Sequence, residues 1–299
     1  MFETMRASFQ AMAHAGDVPT IFQYGFVINA LFCAVVLGPV LGGVGTMVVT
    51  KRMAFFSQAI GNAALTGVAL GVLLGESYTS PYATLFGFCL LFGIVLNYTR
   101  GKTGMSADTL IGVFLSISLA AGACLLLFVS AKVNTHVLES VLFGSILTVN
   151  DVDIVVLLCV TFLCLVVGLP LYNQMLLGSL NASLAGVRGV RVKLLEYLFI
   201  IMITVLTVAS VKIVGAVLVE ALLLIPAAAA RNISRSLKGF FGWSVLFATV
   251  SCIAGIIIPM QWDIPVPSGG AIILVAAAFF VVTTVLRSSL TVFNEARVS

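Results

Sequence analysis

One carboxylate stands alone in a strongly apolar part of the chain. Glu220 lies in "IVGAVLVEALLLIPAAAA", and no other charge occurs between Ile213 and Ala230. An acid held centrally in a membrane span costs several kcal/mol unless it is paired or faces water, so it marks a function by default. A second polar feature lies in "KRMAFFSQAIGNAALTGVAL", Lys51 to Leu70, where Gln58, Asn62 and Thr66 recur every four residues. That spacing sets all three on one stripe of a helix. Carboxylate and amide oxygens suit hard cations, whereas zinc prefers His and Cys. Pro226 lies less than two turns beyond Glu220 and leaves the Leu222 carbonyl without its helical donor. A helix defect at that depth faces protein or a water-filled cavity rather than lipid.

Each feature also has a bland explanation. The amides can hydrogen-bond between helices, for about 0.6 kcal/mol each. Glu220 can be protonated or hydrogen-bonded, and Pro226 can be a simple kink. The depths favour function. Asn62 lies about 15 Å inside the boundary marked by Arg52, and Glu220 about 12 Å inside that marked by Lys212, in hydrocarbon about 30 Å thick. For straight helices the two then share a level to within roughly 3 Å. Lys212 is expected to snorkel to the outer surface.

Other candidates are weaker. His136 and Glu139 have a spacing that could share a metal, but two ligands are few. Asp151 and Asp153 read as exposed acids at a helix start, with docking of an external protein as a weaker role. Asp108 is expected to cap or start a span, and Glu196 to pair with Arg188, Arg191 or Lys193. The six cysteines, Cys33, Cys89, Cys124, Cys159, Cys164 and Cys252, lie in apolar runs without a CxxC or a Cys/His cluster. They read as buried thiols rather than disulfides or a metal site. No phosphate loop, nucleophile elbow or HExxH is present. Covalent chemistry is therefore not indicated, and transport is the expected function, driven by a partner or an ion gradient.

The elements that position these residues follow from composition. The chain has 299 residues, 61% hydrophobic and 9% charged, against about 25% charged in soluble domains. It reads as an all-α, polytopic membrane protein. Nine stretches reach the roughly 20 residues that a crossing needs: 22–50, 53–74, 81–98, 109–130, 152–172, 194–211, 213–230, 241–259 and 269–286. The sixth and seventh are separated only by Lys212 and could form a broken or unusually tight pair. Residues 1–20 read as an N-terminal interfacial segment outside the membrane and not as a cleaved signal. Residues 21–288 form the membrane domain, and 289–299 a cytoplasmic tail.

Nine crossings place the termini on opposite sides. With the C-terminus inside, Lys51, Arg52, Arg100, Lys102, Arg188, Arg191, Lys193, Arg231, Arg235, Lys238, Arg287 and Arg297 are cytoplasmic, and only Arg6, Lys132 and Lys212 lie outside. That bias sets the N-terminus outside. The positive charge of the chain then belongs to membrane boundaries and not to nucleic-acid binding. The longest cytoplasmic loop runs from about Tyr172 to Lys193. Within it Asn181 is expected to cap a short helix, Ala182 to Arg188, that Gly189 ends. Outside, "AKVNTHVLESVLFGSILTVND" fits a segment lying at or dipping into the interface. Gly38 and Gly42 form a GxxxG that permits close helix packing.

Four stretches carry a family resemblance in order. "LGPVLGGVGTMVVTKRMAFFSQAIGNAALTGVALG", "LESVLFGSILTVNDVDI", "SLNASLAGVRGVRVKLLEYLF" and "SVKIVGAVLVEALLLIPAAAAR" resemble motifs of the membrane permease subunits of bacterial ABC importers for zinc, manganese and iron (the ABC-3 type), over roughly Gly38 to Phe280. The resemblance implies a fold like the vitamin B12-type importer permease, in the bacterial cytoplasmic (inner) membrane. It implies a second permease copy or a homologous permease, separate ATPase subunits that use ATP, and an extracytoplasmic metal-binding protein. The transported divalent metal ion would be cargo, with no cofactor bound in this chain. Segment 179–190 would couple to the ATPase, through Asn181, Leu184, Ala185 and Gly189. The two apolar residues Leu184 and Ala185 are expected to insert into an ATPase groove.

One departure matters. Where the family usually shows Gly-Asp-Ala-x-Ser-His, this chain has Ser57, Gln58, Ala59, Ile60, Gly61 and Asn62, so an acid and an imidazole have become amides. The Pro that often follows is Thr66. The expected translocation path comprises Gln58, Asn62, Thr66, Glu220 and Pro226, with Glu220, Asn62 and Gln58 as metal contacts. A proton-coupled secondary carrier built on Glu220 is an alternative, as is a degenerate half of a two-permease heterodimer. Reporter fusions test the topology: those after Ser77, Val133 and Trp262 should report the outer side, and those after Gly104, Arg191 and Ser236 the cytoplasm. A cytoplasmic Val133 contradicts it.

Overall fold

The computed structural model describes residues 23–76, 82–130, 151–262 and 266–298. The helices are α1 (Gly25–Thr50), α2 (Phe56–Leu73), α3 (Tyr82–Thr103), α4 (Ala107–Ser130), α5 (Asp151–Leu180), α6 (Ala182–Val187), α7 (Val192–Val214), α8 (Ala216–Ile233), α9 (Leu237–Gln261) and α10 (Ser268–Val298). Among the described residues nine helices, all but α6, are long and apolar enough to cross a membrane. The all-helical, nine-span reading therefore agrees with the structure. Residues 1–20 and the outer segment with His136 and Glu139 lie outside the described residues, apart from its final Asp151, which opens α5.

Several boundaries differ from expectation. α5 continues through Pro170 to Leu180, so the long loop expected from Tyr172 is largely helix. α10 runs to Val298, and the expected tail is its continuation. Lys212 does not separate the sixth and seventh spans. It sits in the last turn of α7, and the break falls at Gly215, whose φ of 84° suits a residue without a side chain. Asp108 lies in the first turn of α4, while the Ser106 hydroxyl accepts the Thr109 N–H at 3.3 Å and acts as the cap.

Two compact units divide the chain. The first comprises Met1–Thr46, Ser145–Val155 and Ala221–Ser299. Within it the GxxxG of α1 packs on α9: a Cβ added at Gly38 would lie 2.7 Å from the Thr249 Cα, and one at Gly42 would lie 2.8 Å from both the Ala248 Cβ and the Ser244 carbonyl oxygen. The Ser244 hydroxyl donates to the Gly42 carbonyl at 2.6 Å. Backbone contact this close gives the packing that hydrocarbon solvent does not supply by exclusion. Aromatic stacking of Phe247 on Phe279 at 5.0 Å joins α9 to α10.

The second unit comprises Met47–Gly144 and Val156–Glu220, and α2 is its core. Gly67 of α2 lets the Leu85 backbone of α3 approach, and Gly93 of α3 meets the Thr204 hydroxyl of α7. Gly61 of α2 meets Ala216 at the start of α8, where a Cβ on Gly61 would lie 2.8 Å from the Ala216 Cβ. Small residues thus set how closely every partner of α2 approaches.

Gly42→Ala should lower stability by about 1–3 kcal/mol, since the added methyl meets backbone that cannot rotate away. Gly101→Ala, whose Cβ meets open space, should be neutral or stabilising by up to about 1 kcal/mol. Unfolding midpoints of the purified variants check this, and equal midpoints would contradict it.

Candidate functional site

The polar stripe of α2 divides into two parts. Thr66 is 2% exposed, and its hydroxyl donates to the Ser118 carbonyl of α4 at 3.2 Å. That end of the stripe is a helix–helix contact. Asn62 is also buried and Gln58 is half-buried, yet neither amide makes a hydrogen bond among the described residues. One residue before Gln58, the buried Ser57 hydroxyl has no partner among the described residues. The sequence reading passed over Ser57 because serine is common in membrane helices, and its spacing of four before Gly61 was the available signal.

Glu220 is half-buried and makes no hydrogen bond among the described residues. The contact of Gly61 with Ala216 fixes its level more directly than distances from the boundaries do. α2 and α8 are the second and seventh crossings, so they run in opposite directions. Glu220 lies one turn past Ala216, about 6 Å along α8. The residues one turn before Gly61 are Ser57 and Gln58. Glu220 is therefore level with Ser57 and Gln58, not with Asn62, and shares the helix face of Ala216 that meets Gly61. The boundary distances assumed one straight helix from Lys212 to Glu220, whereas Lys212 belongs to α7 and α8 starts at Ala216. That lysine is half-buried, with its Nζ 3.6 Å from the centre of the Tyr82 ring.

Pro226 is buried inside α8, in the part of that helix belonging to the first unit. Its neighbour Leu223 turns its carbonyl oxygen directly against Gly45 of α1. Among the described residues no three His, Cys, Asp or Glu side chains converge as a metal site. The oxygens at the level of Glu220 come instead from one carboxylate, one amide and one hydroxyl.

The short helix α6 forms where the sequence places it. Asn181 caps it by accepting the Leu184 N–H at 3.0 Å, and the Ser183 hydroxyl also donates to that side chain. Gly189, at φ 75°, ends it as the Val190 N–H reaches back to the Ala185 carbonyl at 3.0 Å. Leu184 is exposed as expected, but Ala185 is not available for insertion: it is 0% exposed because α6 turns that face inward. The exposed apolar pair is Leu184 with Val187, which is 89% exposed. Their i, i+3 spacing was readable in the sequence and was passed over.

Glu196 forms no ion pair with Arg188, Arg191 or Lys193 among the described residues, and its charge acts on Lys51. Lys51 rests near the Phe199 ring, 5.4 Å from its centre. Burial holds its pKa below the ordinary lysine value, Glu196 opposes that shift and Arg100 adds to it.

Comparison with known proteins decides the family. The model of the "ABC 3 transport family" matches residues 23–287. The chain belongs to that family. It is 33% identical to the manganese import system permease protein ScaB of Streptococcus gordonii, over 82% of this chain and 86% of that one. It is 30% identical to the high-affinity zinc uptake system membrane protein ZnuB of Haemophilus influenzae, over 81% and 90%. Among solved structures, PsaBC from Streptococcus pneumoniae in complex with Fab matches with a TM-score of 0.73 and 31% identity, covering 93% of this chain and 94% of that one. An inward-facing putative metal-chelate type ABC transporter, at a TM-score of 0.67 and 20% identity, shares the ABC 3 chain's fold.

Thr66→Val should lower the stability of this family member by about 0.6 kcal/mol through loss of the bond to α4. Gln58→Ala, which breaks no hydrogen bond, should leave it unchanged. Denaturant titration of both variants measures the difference, and a larger loss for Gln58→Ala would assign the amide a structural role.

Proposed function

We propose that this chain is the membrane permease subunit of an ATP-driven importer for a divalent transition-metal ion, with Glu220 as the charge in its path. Relatives named for manganese import and zinc uptake support the cargo class. The observation that carries the path is the half-buried Glu220, level with the unbonded Gln58 amide and Ser57 hydroxyl. Polar groups left unbonded inside a membrane span are costly unless water or an ion meets them. Gln58 and Glu220 form the oxygen-rich level, Asn62 lies one turn further along, and Thr66 ties α2 to α4. Pro226 opens α8 beyond the acid. Manganese is served by such oxygens better than zinc is.

The N-terminus lies outside and the C-terminus in the cytoplasm. An extracytoplasmic binding protein delivers the ion, and two ATPase subunits drive the cycle from the cytoplasmic side. Leu184 and Val187 present the apolar face of α6 to the ATPase, Asn181 and Gly189 hold that helix in shape, and Ala185 seats it on the permease. ATP hydrolysis belongs to the separate ATPase, so the chain itself is not an enzyme. Family membership disfavours the proton-coupled carrier. One observation favours a heterodimer with a second permease: amides stand at the family's acid and imidazole, and the described residues contain no three-ligand cluster.

Uptake of manganese, zinc and iron into vesicles holding the assembled transporter tests the path. Glu220→Gln should cut transport by about tenfold or more, since it removes a charge–charge attraction. Asn62→Ala and Gln58→Ala should cost about threefold each, the equivalent of one weak polar contact. Normal transport by Glu220→Gln would make the acid structural and move the path to a partner permease. Leu184→Asp and Val187→Asp should each abolish transport and release the ATPase while the permease still inserts. Retained transport at matched protein levels would reject that contact.

A further inference from the structure

A cleft of about 320 Å³ opens between the C-terminal end of α3 and the start of α7. Arg100, Lys102 and Lys193 line it with a single acid, Glu196, and with Tyr98 and Tyr197. The lining is therefore positive by two, three cations against one carboxylate, and Lys51, outside the lining, lies close enough to feel both Glu196 and Arg100. Asn97 also lines the cleft, is only 6% exposed, and makes no hydrogen bond among the described residues. A buried amide left unbonded in a cationic cleft is a donor prepared for an anionic oxygen acceptor.

The surroundings say what carries that anion. Leu91, Val95, Tyr98 and Lys102 are all exposed and fall three or four residues apart on α3, with exposed Ile94 beside them. They form one stripe down the helix that changes from aliphatic to aromatic to cationic as it enters the cleft. The Lys102 ammonium lies 5.8 Å from the centre of the Tyr98 ring. The cleft lies at the end of a span, at headgroup depth, where tyrosines and snorkelling lysines concentrate. A soluble phosphate would use the cations but not the stripe. A phospholipid uses both, with acyl chains along Leu91 to Val95 and its phosphodiester among the cations.

We infer that this cleft is a binding site for an anionic phospholipid headgroup, held by Arg100, Lys102, Lys193 and the Asn97 amide. The site lies in the second unit and is independent of the ion path.

The test titrates the purified full chain, in neutral detergent micelles, with fluorescent short-chain phosphatidylglycerol and with the phosphatidylcholine analogue. Phosphatidylglycerol should bind the more tightly. Lys102→Gln and Lys193→Gln, both at exposed positions, should each lower its affinity by about fivefold, the worth of one cation near an anionic lipid. Glu196→Gln should raise the affinity, because it removes the opposing charge. Arg231→Gln, an exposed cation outside the cleft, should leave it unchanged. Unfolding midpoints confirm that the variants fold. Equal losses for Arg231→Gln and the cleft variants would reduce the effect to general surface charge and overturn the site. Equal displacement by water-soluble glycerol phosphate would make it a free-anion site and overturn the lipid assignment. Unchanged phosphatidylglycerol affinity in both Lys102→Gln and Lys193→Gln would overturn the site.

Discussion

Hydrocarbon offers no hydrogen bonds, so each polar group in these spans must find a partner in the protein or reach water. Much of this structure follows from that constraint. Ser244 closes on the Gly42 carbonyl and Thr66 on the Ser118 carbonyl, each joining two helices. Ser210 turns back to its own Leu206 carbonyl at 2.7 Å. Among the described residues Glu220, Gln58, Asn62 and Ser57 make no such bond, and neither do Asn97, Thr161, Thr204, Thr207 and Ser251; of these Glu220 alone is a carboxylate. A carboxylate in a span is the costliest of such groups to leave unbonded, which is why the proposed path is built on Glu220.

Close packing makes that arrangement definite. Lipid is as apolar as leucine, so helices in a bilayer associate through backbone proximity rather than exclusion from water. Gly61 against Ala216 sets the register between α2 and α8, and that register brings Glu220 level with Ser57 and Gln58. A larger residue at either position would part the helices and shift the level of the carboxylate. The small residues near the site are thus part of its specification, though they carry no chemistry.

Spans, caps and family motifs were legible in the sequence because each rests on a local rule. Apolar length marks a crossing, an asparagine before a short helix caps it, and a glycine at positive φ ends it; α6 obeys the last two. Features that depend on tertiary contact were not legible. The burial of Ala185 depends on which face of α6 meets the permease. The bond of Thr66 depends on a carbonyl 52 residues away. The attraction of Glu196 for Lys51 depends on how α7 packs at the α1–α2 turn. The break between α7 and α8 was misplaced for a different reason: a charge interrupts hydrophobicity, but Lys212 lies over an aromatic ring and the helix continues past it.

The central claim is that Glu220 supplies the charge at an aqueous, cation-accepting level shared with Gln58. Modification of Gln58→Cys by a charged, water-soluble thiol reagent tests it directly, in assembled transporter whose six native cysteines have been replaced. The account predicts rapid modification that manganese slows while Glu220 is present, and no protection once Glu220→Gln is added. Modification no faster than at Val285→Cys on the exposed face of α10, or manganese protection that survives Glu220→Gln, would contradict it.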